Sequence, residues 1–120
     1  MLKKGDLVQH FKKSSMKDLG HCYIVLETGV IGTEIDGCFT VYQALYGDNK
    51  LFMRADNSCV VNVSNREDNK TGQSTRLALI TDLELGQLAY EKAVEIGVII
   101  KNDNISNFSD YIERYNKKTS

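Results

Sequence analysis

Histidine occurs only twice in the 120 residues, cysteine three times and proline not at all. His10 and His21 with Cys22, Cys38 and Cys59 are poor material for a zinc site, which draws close ligand pairs flanking a loop. The odd number and wide spacing of the cysteines exclude a disulfide framework. Each lies in an apolar, strand-like stretch, where a free thiol behaves as a small hydrophobe. A catalytic His–Cys pair fails for a related reason. A reactive thiolate needs an open, electropositive setting, and Cys22 adjoins the apolar run Tyr23-Ile24-Val25-Leu26. The missing proline, the frequent asparagine and the excess of lysine over arginine match an AT-rich genome, such as that of a low-GC bacterium or its phage.

Enzyme signatures are missing too. The chain has no glycine-rich dinucleotide loop, no phosphate loop ending in Gly-Lys-Ser/Thr, no Gly-x-Ser-x-Gly and no His-Glu-x-x-His. Ser14-Ser15-Met16-Lys17 matches Ser-x-x-Lys by chance, since its partner motifs are absent. No residue is assigned a catalytic role and no cofactor is implied. No apolar run approaches the roughly 20 residues of a membrane span, and no apolar signal region follows Lys3 and Lys4. A cytoplasmic protein without a membrane partner is expected. The net charge of −1 supplies no field toward nucleic acid, so no sequence-specific nucleic-acid partner is expected. Locally, Lys3, Lys4, Lys12, Lys13 and Lys17 face only Asp6 among the first 17 residues. Such a cluster is either a solvated face or a local anion site.

What is there reads as one domain, residues 1–120, with 42% hydrophobic and 26% charged residues. The fold class is α+β: a β-rich core over residues 1–80, then a helical extension over 81–120. Five or six strands are expected. Leu7–Phe11 is the first, and Cys22–Leu26 is a strand buried on both faces. Cys38–Tyr46 and Leu51–Arg54 form a hairpin through Gly47-Asp48-Asn49. Cys59–Val63 and Thr75–Ile80 follow, separated by a polar, solvated loop or flexible hairpin tip over residues 64–73. From Leu85 the apolar spacing turns helical. Thr81 or Asp82 can cap this helix and Gly97 can end it. Ser106 can cap a second helix with Phe108, Tyr111 and Tyr115 on the face that docks on the core, and Lys117-Lys118 would complement its C-terminus.

The segment Val41-Tyr42-Gln43-Ala44-Leu45-Tyr46-Gly47-Asp48 is the informative one. Strict alternation puts Tyr42, Ala44 and Tyr46 on one face and Val41, Gln43 and Leu45 on the other. With Arg54 across the hairpin, the tyrosines form either an aromatic-plus-cation site or an amphipathic hairpin packed on the C-terminal helices. Tyrosine offers a flat apolar surface with a hydroxyl. Arginine offers a planar fork for a carboxylate, a phosphate or a base edge.

His10-Phe11-Lys12, Tyr23-Ile24-Val25, Val41–Asp48 and Leu51-Phe52-Met53-Arg54 together resemble a bacterial family, the domain of unknown function numbered sixteen fifty-three. The likeness covers residues 5–77. Lys13 stands where that family has glycine, and Phe52-Met53-Arg54-Ala55 where it has Trp-Val-Arg-Pro. The resemblance implies a strongly bent, small-barrel-like antiparallel sheet and no assigned reaction. It also implies a shared pocket, mapping here onto His10, Tyr42, Gln43, Tyr46 and Arg54. Gln43 would need a bend or bulge to join the tyrosines.

Two functions are expected to compete. One is a non-catalytic module for a small anionic or nucleotide-like ligand. The other is a phage or mobile-element protein that inhibits a host defence protein by direct binding or sequesters its nucleotide signal. A homodimer through the C-terminal helices is a further partner arrangement.

Overall fold

A computed structural model describes the backbone of residues 1–119 and the side chains of residues 1–113. It has five antiparallel strands, β1 (Leu7–His10), β2 (Cys22–Ile31), β3 (Cys38–Ala44), β4 (Leu51–Ala55) and β5 (Leu77–Leu79). Three helices complete it: α1 (Asp56–Cys59), α2 (Leu83–Glu95) and α3 (Phe108–Thr119). The strand order is β4-β3-β2-β1-β5. No helix among the described residues is long and apolar enough to cross a membrane.

The α+β class holds, with the switch from strand to helix at Thr81 as expected. Closure does not: the sheet is open, with β4 and β5 at its edges. The expected strand at Cys59–Val63 is also missing. Its start is the last residue of α1, and only Asn62 forms a bridge, to Thr75. The chain leaving β4 turns helical at Asp56 and has no extended run with which to join β5. Residues 59–76 instead cross one face of the sheet. Residues 64–73 are mostly exposed, as a solvated loop, and hydrogen bonds brace the crossing. Asn69 Nδ2 donates to the carbonyls of Val63 and Gln73. Gln73 Nε2 donates to those of Gln9, Thr75 and Arg76.

Burial on both faces of β2 follows from two apolar clusters. Leu7, Cys22, Ile24 and Leu45 pack with Ile80, Leu85, Ala89, Tyr90, Ala93 and Phe108 on the helix side. Val8, Tyr23, Val25, Tyr42, Ala44, Cys59 and Leu77 pack on the other. Alternate residues of one strand thus feed different layers. Beyond Leu26 neither layer reaches, and β2 alternates between half-buried and exposed. Cys38, at that end of β3, is therefore exposed and not the small core hydrophobe expected. Register shifts between Val25 and Glu27, and between Glu27 and Val30, bend the long β2–β3 hairpin.

Asp82 caps α2, its side chain accepting from the Leu85 N–H. Gly97, at φ 82°, ends the helix. The Gly97 N–H returns to Val94 O and the Val98 N–H to Ala93 O, the bond pair of a Schellman stop. The α3 cap is Asn107, whose Oδ1 accepts from the Asp110 N–H, where Ser106 was expected. Ser106 bonds the Asp110 carboxylate instead. Phe108 seats on α2 at Gly86, where any Cβ would collide with its ring. The Tyr111 hydroxyl donates to Gly5 O at 2.6 Å, so this face does dock on the core. Phe108 and Tyr111, on the side expected to form a homodimer, thereby make contacts within the chain. The side chains of Tyr115, Lys117 and Lys118 lie outside the described residues.

Candidate functional site

The face away from α2 and α3 carries an aromatic cluster. β3 presents Tyr42 and Ala44 there, β2 presents Tyr23, and β4 presents Phe52, which is opposite Tyr42 in register. Tyr23 meets Tyr42 edge-on with centroids 5.1 Å apart, Tyr46 at 5.6 Å and Phe52 at 5.9 Å. Tyr42 stacks on Phe52 at 5.7 Å. The Tyr23 and Tyr46 hydroxyls share a hydrogen bond of 2.8 Å. Tyr46 and Phe52 line a cavity of about 250 Å³ with Ala44, Gly47, Asp48 and Lys50.

Cations border this cluster. Arg54 Nε approaches the Tyr42 hydroxyl at 3.5 Å. Arg76 Nε donates to Ser58 O, and its guanidinium lies over the Phe11 ring, 5.8 Å from the centroid. His10 stacks on Phe11 at 4.5 Å and faces His21 at 5.7 Å. His21 continues to Tyr46 at 6.2 Å. Burial, then the charges of His21, Arg54 and Arg76, push the His10 imidazole down to about 4. Arg54 and Arg76 are both half-buried. Among the described residues neither has a carboxylate within ion-pair distance. Arg66 and Lys12 differ, since both pair with Asp68. An uncompensated guanidinium in a half-buried setting retains its full attraction for an anion.

No protein-family model, curated protein or solved structure matches the chain.

Of the expected site residues, Tyr42, Tyr46, Arg54 and His10 share this face. Gln43 does not. It pairs with Ile24 and Leu51, on the strand between Tyr42 and Ala44, without a local register shift. Its amide donates to Asn49 O and braces the β3–β4 turn. Tyr42 is buried, so the open wall of the cavity is Tyr46 and Phe52.

Four contributors were missed in the sequence: Tyr23, Phe52, Arg76 and His21. His21 takes φ 58° in the fold, a left-handed conformation that the sequence did not announce. Of the lysine cluster, Lys3, Lys4, Lys12 and Lys17 are exposed, as in a solvated face, and Lys13 departs from it. Lys13 is buried, and its ammonium donates to the carbonyls of Asp18 and Gly20, pinning the loop before β2.

On this face, burial pushes the Cys59 thiol up. Cys22 lies in the other layer, also pushed up by burial, to about 11. No group of three or more His, Cys, Asp or Glu among the described residues can hold a metal ion.

Proposed function

We propose that the aromatic and basic face is a non-catalytic binding site for a small anionic ligand with a planar ring, of the nucleotide class. The observation that carries the reading is the pair Arg54 and Arg76: both half-buried, both acting on His10, and neither within ion-pair distance of a carboxylate among the described residues. A phosphate fits two guanidiniums as bidentate partners. A flat ring fits the cavity between Tyr46 and Phe52. The likeness of residues 5–77 to the bacterial family sixteen fifty-three is consistent with this, because its aromatic and arginine positions are those gathered here. Sequestering a nucleotide signal is one biological use of such a site.

Calorimetric titration with nucleoside monophosphates and diphosphates tests the reading, with the bare nucleosides and inorganic phosphate as controls. Nucleotide binding that is lost in Arg54→Ala supports it. Absence of binding to every nucleotide, or binding indifferent to both Arg54→Ala and Arg76→Ala, overturns it.

A further inference from the structure

Edge strands of stable monomers are usually blunted by charge, proline, bulges or a covering segment. β4 has none of these over its first half. Leu51, Phe52 and Met53 are 62%, 39% and 55% exposed. Its register with β3 runs unbroken from Leu51 to Ala55. The other edge, β5, is only three residues long.

Hydrogen-bond parity decides which groups of β4 are free. The Ala44 N–H donates to Lys50 O. Bonded pairs alternate along an antiparallel ladder, so Lys50, Phe52 and Arg54 bond toward β3. Leu51, Met53 and Ala55 turn their backbone groups outward. We propose that this edge pairs with β4 of a second copy of the chain, antiparallel, about a two-fold axis at Met53. The inference does not depend on the ligand reading.

Charge selects the register. Three neighbouring two-fold registers satisfy the outward parity. An axis at Phe52 sets Lys50 against Arg54 of the second copy, and an axis at Arg54 sets the two Arg54 side chains against each other; both contacts repel. An axis at Met53 sets Leu51 against Ala55 and Phe52 against Arg54, and brings Lys50 toward Asp56 at the start of α1, whose Oδ1 accepts from the Thr40 hydroxyl. Symmetry makes each favourable contact twice. Phe52 and Arg54 share the strand face of the aromatic cluster, since both alternate with Met53. Each copy's phenyl ring therefore comes beside the other's guanidinium, a cation–π arrangement. The two aromatic sites then adjoin across one continuous sheet.

Sedimentation of the full chain over a dilution series tests this, with circular dichroism to confirm folding. The wild type is expected to be a dimer that dissociates on dilution and with added salt. Met53→Lys puts two ammonium groups at the axis and is expected to be monomeric. Lys50→Glu brings a carboxylate toward Asp56 in place of an ammonium and is expected to weaken the dimer by about tenfold or more. Lys50 is an exposed turn residue, so this variant carries the test if Met53→Lys misfolds. A wild type monomeric at every concentration overturns the proposal. So does a dimer indifferent to either folded variant, because its interface then lies elsewhere.

Discussion

The Tyr23 hydroxyl sits 2.8 Å from that of Tyr46, and joins a buried core ring to a half-exposed site ring. Burial, reinforced by this bond, pushes the Tyr23 phenol above its ordinary range. Tyr23 thus stays a neutral hydroxyl and fixes the orientation of Tyr46. Tyr46→Phe removes the partner of a largely buried hydroxyl and is expected to cost about 1–3 kcal/mol. Replacing both tyrosines by phenylalanine is expected to cost less than the sum of the single changes, because no orphaned hydroxyl remains. Urea denaturation of the four proteins reads this coupling. Strictly additive costs would show that the bond contributes nothing.

Arg54 touches little that holds the fold together. Its one described hydrogen bond, to the Tyr42 hydroxyl, is long at 3.5 Å. Arg54→Ala is therefore expected to leave the melting temperature nearly unchanged. If the site takes an anion, the lost charge-assisted bond costs about 1.5–3 kcal/mol, roughly ten- to a hundredfold in affinity. An ion pair of Arg54 with Asp48 or Asp56, which would give the residue a structural role, does not occur among the described residues. A clear fall in melting temperature with unaltered nucleotide affinity would return Arg54 to a structural role.

His10 makes stability depend on pH in a defined window. The folded imidazole is pushed from 6.5 down to about 4. The unfolded chain takes up a proton near 6.5 that the folded chain refuses until about 4, so stability falls as pH drops through that interval. Below it His10 adds no further loss, and carboxylate protonation takes over. His10→Asn keeps an acceptor for the Lys12 N–H, which now bonds His10 Nδ1, while removing the titration. Denaturation at several pH values between 7 and 5 is expected to show a shallower slope for the variant. Identical slopes would assign the acid sensitivity to other groups.

Gly86 reverses the usual rule for glycine in a helix. Replacing a mid-helix glycine by alanine ordinarily stabilises by about 1 kcal/mol. Here the added methyl would occupy the position of the Phe108 ring. Gly86→Ala is expected to destabilise by about 1–3 kcal/mol through overpacking. Adding Phe108→Leu should recover part of that loss. A stabilised Gly86→Ala would mean that α3 does not seat on α2 as described.

Residue order alone determined the elements whose physics is local. The apolar run Cys22–Leu26, the left-handed turn at Gly47 and Asn49, the Asp82 cap and the Gly97 stop follow from side-chain periodicity and backbone preference. Alternation likewise placed Tyr42 and Tyr46 on one face with Gln43 opposite. Tertiary structure decided the rest, because it depends on which distant segments meet. Pairing of His10 with Leu77 carries Arg76 to the side of Phe11 and His10, and no local pattern encodes that meeting. The sheet stays open because the chain turns helical at Asp56, on leaving β4. Lys13 is core and Cys38 is surface because burial follows the reach of the two layers and not the polarity of the residue. That neither Arg54 nor Arg76 has a carboxylate within ion-pair distance among the described residues is likewise a tertiary property, since it depends on which segments the fold brings together.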